Sequence, residues 1–272
     1  RCTVNPDLIN GEAYKKQKVN KPCNVVVVGA GTAGLEAACT AAEVGCATVL
    51  IEKSGELGGL ARRVGKMPNK QRLGYFPQYL ERRAMKLKNL FICKNTEASI
   101  EFIEGFKPDI VVNATGSVPL LPNIPGLKEN LEAGNVSTIF DLVDHVDSYP
   151  EDLSGKKVVV IGGGNVAIDV ARNSKRCGDV NVSMFCLEDR EHMPASEEEI
   201  EEATEEGIKV NCGWGPKEII VKDGKVDSIV LKKCLSVMDY DGRFNPTYDE
   251  NETITLSCKH VVLSVGQTIV WD

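Results

Sequence analysis

Several shortages in this chain each remove a class of function. Histidine occurs three times in 272 residues, as His145, His192 and His260, all in different segments. A nucleophilic triad or a histidine-rich metal site has little to be built from, and all three read as surface or internally satisfied residues. Apolar runs such as Val25 to Val28 and Val158 to Ile161 fall far short of the roughly 18 residues a membrane span needs. No dense Lys/Arg block is present and the net charge is −7, so neither a nucleic-acid backbone nor a membrane is an expected partner. Ten cysteines are many, yet no two are spaced C-x-x-C or C-x-x-x-x-C. That disfavours a zinc ribbon and a closely spaced redox disulfide, and scattered thiols suit a reducing, cytoplasmic-type compartment. The chain opens at Arg1 and closes just after an apolar, strand-like run, which reads as a piece of something longer.

What is present is an internal repeat. Asn24 to Lys53 reads NVVVVGAGTAGLEAACTAAEVGCATVLIEK, and residues 157–188 read KVVVIGGGNVAIDVARNSKRCGDVNVSMFCLE. Gly29, Gly31 and Gly34 align with Gly162, Gly164 and Ala167 at a constant offset of 133. Each copy runs from a β-branched stretch through a glycine-rich turn and an Ala-rich helical stretch to a second β-branched stretch followed by an acid. That grammar is β-turn-α-β, the opening of a doubly wound parallel sheet. A period of 133 is too long for a solenoid, so the chain is predicted to hold two related domains.

Between the copies, IVVNATGSVPLLPNIPG (Ile110 to Gly126) is a short strand followed by a crossing that carries Pro119, Pro122 and Pro125. Proline is excluded from helix interiors and central strands, which places the domain junction there. Ser196 to Glu206 predicts a helix opened by a capping box of Ser196 with Glu199. Its seven glutamates read as a solvated face, with Ile200 and Ala203 turned inward. Met238 to Glu252 carries Asp241-Gly242 and Asn245-Pro246 and reads as a surface hairpin or loop. Lys259 to Gln267 reads as the β-run that closes the second domain.

Each glycine in such a turn has a separate task. The first permits the tight turn, the second lets backbone approach a pyrophosphate, and the third (Ala167 in the second copy) allows close helix–strand packing. The anion then sits on the N–H groups of the helix N-terminus, formed by Thr32 and Ala33 in one copy and by Asn165 and Val166 in the other. Glu52, 18 residues after Gly34, and Glu188, 21 residues after Ala167, are placed to accept hydrogen bonds from adenosine ribose hydroxyls. A carboxylate at 188 opposes the 2′-phosphate of NADP, which favours NAD(H); Arg190, two positions on, keeps NADP open. Asp169 and Arg172, on the same helix as the second turn, read either as cofactor contacts or as a pair used in packing.

Two such turns in series resemble the pyridine nucleotide-disulfide oxidoreductase superfamily, whose first fingerprint binds FAD and whose second binds NAD(P)H. Three further motifs carry the resemblance. EKSGELGG (Glu52 to Gly59) is similar to the segment that runs from the FAD ribose toward the flavin, which implicates Lys53, Gly59 and Leu60; Leu60 stands where the family has glutamine. NATGSVP (Asn113 to Pro119) resembles the crossover between domains and implicates Thr115 and Gly116. SVGQ (Ser264 to Gln267) resembles the return to the FAD domain and implicates Gly266.

Two subfamilies fit. Residues 1–13, RCTVNPDLINGEA, resemble the end of the flavin barrel in NADH:flavin oxidoreductases of the Old Yellow Enzyme and 2,4-dienoyl-CoA reductase type, where the cysteine is a 4Fe-4S ligand. By that resemblance Cys2 is the fourth cluster ligand of an intact enzyme, with FMN and the other three ligands in an upstream domain and a small-molecule substrate bound elsewhere. The segment GGGNVAIDVAR…EHMPASEEEIEEATEEGIKV is similar to the glutamate synthase small subunit, which has two arginines where this chain has Leu187 and Glu188. A silent nucleotide-binding module is a third reading.

The resemblance implies an α/β chain of two Rossmann-like dinucleotide-binding domains. Residues 1–23 are then a linker, 24–120 the FAD-binding domain, 121–264 the NAD(P)H-binding domain and 265–272 the start of the return. The first domain is expected to be incomplete at its C-terminus, because the family closes its FAD site with a later segment. No catalytic side chain is expected: hydride transfer from NADH to FAD is a matter of positioning.

Overall fold

The computed structural model describes residues 8, 11, 15–67, 70–145, 153, 155–176 and 180–269. They fall into two compact units divided between Gly116 and Ser117.

In the first unit four parallel strands, β1 (Asn24–Val28), β2 (Ala47–Ile51), β3 (Leu90–Cys93) and β4 (Ile110–Asn113), stand in the order β3-β2-β1-β4. The middle residues of β1, Val25, Val26 and Val27, are buried, as expected where a strand has neighbours on both edges. Helix α1 (Thr32–Val44) connects β1 to β2. It buries Gly34, Leu35, Ala38, Cys39 and Ala42, a one-sided spacing of small and apolar residues, and stops at Gly45, whose φ of 111° few other residues adopt. Helices α2 (Gly59–Val64) and α3 (Tyr75–Ala84) follow β2, and α4 (Ile100–Gly105) lies between β3 and β4. Val25, Val27, Leu35, Leu50, Leu57 and Leu80 anchor the core, each buried side chain contributing about 1.5–3 kcal/mol.

The second unit repeats the plan with an insertion. A two-residue strand β5 (Val118–Pro119) is followed by α5 (Leu127–Glu132), β6 (Val136–Thr138), α6 (Ile139–Asp144) and β7 (Lys157–Ile161). Then come α7 (Asn165–Lys175), β8 (Asn181–Cys186), α8 (Glu197–Glu205) and β9 (Lys209–Cys212). Three long antiparallel strands, β10 (Trp214–Lys222), β11 (Lys225–Met238) and β12 (Phe244–Ser257), form a separate sheet before β13 (His260–Leu263) and β14 (Gln267–Thr268). The parallel sheet runs β6-β13-β7-β8-β9. Its last four strands, read from the far edge as β9-β8-β7-β13, reproduce the order β3-β2-β1-β4 of the first unit.

The run 259–267 supplies β13, the last strand of the parallel sheet in chain order, which is inserted centrally between β6 and β7, and leads into β14, paired with β5. The turn-rich stretch 238–252 is the tip and one arm of the β11–β12 hairpin. The β10–β11 hairpin preceding it is not anticipated in the repeat, although Asp223-Gly224, both with positive φ, is a strong two-residue hairpin signal between alternating strands. Ser196 is the N-cap of α8 but forms no capping box. Its N–H is already taken by Asn165 Oδ1 at 2.8 Å, and Glu199 is turned to Arg172 at 3.4 Å.

The glutamates of α8 are accordingly not only a solvated face. Arg172 on α7, its side chain 15% exposed, gathers Glu199, Glu202 and Glu206, and Arg176 adds a second contact to Glu206 at 2.6 Å. This network ties α7 to α8 over the buried Ile200 and Ala203, so Arg172 is a packing residue.

Candidate nucleotide-binding sites

The first site is built at the carboxyl end of β1. A Cβ added at Gly29 (φ 95°) would lie 2.4 Å from the carbonyl oxygen of Ala114, and one at Gly34 would lie 1.8 Å from that of Gly29. These two glycines are demanded by backbone packing. Gly31 is different: its φ is −67°, and a Cβ there would meet nothing within 4 Å. Sterically the chain tolerates a side chain at Gly31, so the open space above it is a place backbone N–H groups can face a ligand. Thr32, Ala33 and Gly34 form the first turn of α1 behind it, with no acidic residue in that turn to compete for an anion.

Most of the remaining predicted residues of this half are brought to the same place. Glu52 follows β2 and accepts hydrogen bonds from the N–H of Ala30 (2.7 Å) and of Ser54 (2.9 Å). Each carboxylate oxygen keeps a second lone pair for a ribose hydroxyl. Gly58 donates its N–H to the carbonyl of Ala30 at 2.8 Å, and a Cβ on Gly59 would lie 2.9 Å from Gly31 Cα. The Gly-Gly pair therefore lies directly against the cradle, and Leu60 opens α2 beside it. Thr115, held by Asn113 Oδ1 at 3.1 Å from its N–H, adjoins Gly29, and Gly116 (φ 84°) follows in open space. Lys53 is exposed.

The second site repeats the geometry after β7. A Cβ at Gly162 (φ 146°) would lie 2.2 Å from the carbonyl oxygen of Ser264, the counterpart of Ala114, while one at Gly164 would meet nothing within 4 Å. Asn165 and Val166 open α7, Val166 is 46% exposed, and Ala167 is fully buried behind them. Glu188 leans on Gly163 so closely that a Cβ there would lie 2.6 Å from its Oε2. Gly163 and Ser264 are thus site residues that sequence reasoning passed over. The signal for the first was the third glycine in Gly162-Gly163-Gly164; for the second, the match of Ser264-Val265-Gly266 to Ala114-Thr115-Gly116. The Ser264 hydroxyl oxygen is buried with no hydrogen-bond partner among the described residues, a polar atom left over beside the cradle.

Other predicted residues have other tasks. Asn165 Oδ1 caps the start of α8. Arg190 is paired with Glu197, Nη1 to Oε2 at 3.0 Å. Gly266 accepts the N–H of Leu120 at 3.0 Å, beside the β5–β14 ladder. His260 is buried against Ser137 Oγ at 2.7 Å, His192 is held by Asp189 Oδ1 at 2.7 Å, and His145 lies on the surface. Cys2 lies outside the described residues, and among those described no group of three or more His, Cys, Asp or Glu is placed to hold a metal. No helix of the described residues is long and apolar enough to cross a membrane. Burial pushes the Cys39 thiol up to about 11 and the Cys258 thiol to about 11, as befits packing residues.

In both sites the donors are backbone N–H groups at a helix start, backed by one carboxylate just after the second strand, Glu52 or Glu188. That set fits the pyrophosphate and adenosine ribose of a dinucleotide. Known proteins agree with it. The chain is similar to an NADH oxidase of Thermoanaerobacter brockii, with 36% identity over 63% of this chain and 26% of that protein. It is 28% identical to the glutamate synthase [NADPH] small chain of Azospirillum brasilense, over 89% of this chain and 52% of that one. The solved structure of a 2-naphthoyl-CoA reductase with 2-naphthoyl-CoA superposes with a TM-score of 0.73 at 25% identity, covering 98% of this chain and 36% of that one. The chain spans less than two thirds of each of these proteins. Residues 24–83 match the FAD dependent oxidoreductase family, and residues 84–270 match a second family over more than half of the chain. With two dinucleotide cradles on the same strand order, the chain belongs to that second family, the pyridine nucleotide-disulphide oxidoreductases.

Proposed function

We propose that this chain is the pyridine-nucleotide part of a flavin oxidoreductase, with FAD on the first cradle and NADH on the second. The observation that carries it is the duplicated cradle, in which only the second glycine of each turn, Gly31 and Gly164, faces open space. Bound there, the two cofactors supply hydride transfer between nicotinamide and flavin. The chain's own residues bind and orient. The N–H groups at the starts of α1 and α7 hold pyrophosphate, Glu52 and Glu188 take the ribose hydroxyls, and the Gly58–Gly59 and Ala114–Gly116 turns line the first cradle. Residues 24–120 serve the flavin nucleotide and residues 121–264 the nicotinamide nucleotide, with 1–23 as a linker and 265–272 as the start of the return. Glu188 selects NADH by opposing a 2′-phosphate.

In the intact enzyme Cys2 would be one ligand of a 4Fe-4S cluster, which would supply electron transfer between this part and an FMN barrel acting on an activated C=C bond. The likeness to a 2-naphthoyl-CoA reductase over nearly the whole chain supports this reading. A reductase feeding a separate partner protein is the second reading, supported by the glutamate synthase small chain. Three closely spaced cysteines after a (β/α)₈ pattern in the sequence upstream of Arg1 would distinguish the first from the second. The free thiols of the eight described cysteines support a cytoplasmic location.

The test is NADH-dependent reduction of an acceptor dye by the FAD-loaded full-length protein, wild type and Glu188→Arg. Turnover with a preference for NADH is expected, and Glu188→Arg shifts it toward NADPH by about ten-fold or more. No turnover in the FAD-loaded wild type would make the chain a silent module.

A further inference from the structure

Arg190 is the residue that most invites a 2′-phosphate at the second cradle, lying two positions beyond the ribose carboxylate Glu188. Its guanidinium is already engaged in a fork-to-fork pair with Glu197, Nη1 donating to Oε2 and Nη2 to Oε1. Such a planar bidentate pair uses the same donors an arginine offers a phosphate.

Glu197 does not hold its place by chance. It is the first residue of α8, and the backbone just before it is fastened to the cradle itself. The N–H of Ala195 donates to the carbonyl of Gly163 at 3.0 Å, and the N–H of Ser196 donates to Asn165 Oδ1 at 2.8 Å. Gly163 and Asn165 flank Gly164, the glycine that faces open space, so Glu197 is positioned relative to the phosphate cradle. The helix dipole favours a carboxylate at this first position. Between residues 188 and 201 the sequence carries Glu188, Asp189, Glu191, Glu198, Glu199 and Glu201 besides Glu197, while the only basic side chain other than Arg190 is His192, itself held by Asp189. Among residues 188–201 the one permanent cation a 2′-phosphate could meet, Arg190, is occupied, and Lys233, beyond that segment, lies over the Trp214 ring.

We infer that Glu197 is a specificity-positioning residue: it holds Arg190 away from the nucleotide's 2′ position and so keeps the second cradle selective for nucleotides without a 2′-phosphate. This rests on the reading of the second cradle as the nicotinamide-nucleotide site. Release of Arg190 by Glu197→Gln leaves a free guanidinium next to Glu188 and lowers the penalty against a 2′-phosphate.

The experiment measures dissociation constants of NADH and NADPH for the full chain, as wild type, Glu197→Gln, Arg190→Met and the double variant. In Glu197→Gln the affinity for NADPH relative to NADH rises by about five-fold, the scale expected of a solvent-exposed charge pair, while NADH affinity is nearly unchanged. The double variant loses that gain. If Glu197 only supported the 189–196 loop, both nucleotides would weaken together, which overturns the inference. It is equally overturned if the ratio is unchanged in Glu197→Gln, or if the gain survives in the double variant, since Glu197 would then not act through Arg190. Wild type that binds neither nucleotide refutes the site assignment itself, and the inference with it.

Discussion

The glycines of the two turns look alike in sequence and divide sharply by what stands over them. Gly29 and Gly34 are closed in by the backbone of Ala114 and of Gly29 itself, whereas Gly31 has free space and a φ that any residue adopts. Gly29→Ala is therefore expected to destabilise the first unit by several kcal/mol, from a positive φ and a backbone clash together. Gly31→Ala is expected to leave the melting temperature without ligand within about 1 °C and to abolish the rise that FAD causes, because the added methyl occupies ligand space. Thermal denaturation of both variants with and without FAD checks this. A Gly31→Ala protein still stabilised by FAD would remove the first cradle from the site. The motif's spacing made all these glycines visible; which of them serve packing and which serve binding follows only from neighbours distant in sequence, such as Ala114.

At the scale of elements, helices in each unit are joined by one arginine that gathers several glutamates. In the first unit Arg83 of α3, its side chain 14% exposed, reaches Glu36 at 2.6 Å and Glu43 through both Nε and Nη2, and Lys16 adds to Glu43 at 2.6 Å. Hydrogen bonds from Arg83 hold the Glu43 carboxyl well below its ordinary value, at about 2. Since this group is depressed in the folded protein, its contribution is present above the ordinary carboxylate range and is lost as pH falls from about 4.5 toward about 2. Glu43→Gln should flatten the fall in stability across that window, measured by chemical denaturation at stepped pH. Arg83→Met should cost about 2 kcal/mol near neutral pH, because two partly buried carboxylates, Glu36 and Glu43, lose their common partner. Arg172 plays the corresponding part between α7 and α8. Nothing in the sequence distinguished Arg83 from its neighbour Arg82, for the partners lie 40 and 47 residues away. The seven glutamates between Ser196 and Glu206 were conspicuous by composition, yet which of them meet Arg172 depends on how two helices cross.

For the whole molecule, the two units each carry their own parallel sheet and their own core, with the strand order of the first repeated in the second. Gly31→Ala should then cancel the stabilisation by FAD while keeping that by NADH, and Gly164→Ala should do the reverse, as read by ligand-dependent melting of the same two proteins. Loss of both responses from one substitution would mean that a single shared site, not two cradles, binds the nucleotides.

The sequence by itself determined the local grammar of this protein. The β-turn-α-β units, the two fingerprints, the acids at the strand ends and the duplicated domain are short-range patterns, set by side-chain periodicity and by the conformational freedom of glycine. The tertiary structure decided what depends on separation along the chain. It placed β13 in the middle of the second sheet, set the Gly58–Gly59 turn against Gly31, turned Arg190 toward Glu197 and committed Arg172 to α8. Parallel strands pair through long crossovers, and ion pairs form wherever those crossovers bring charges together. A motif therefore carries the address of a cradle, while the partners that tune it are chosen by the fold.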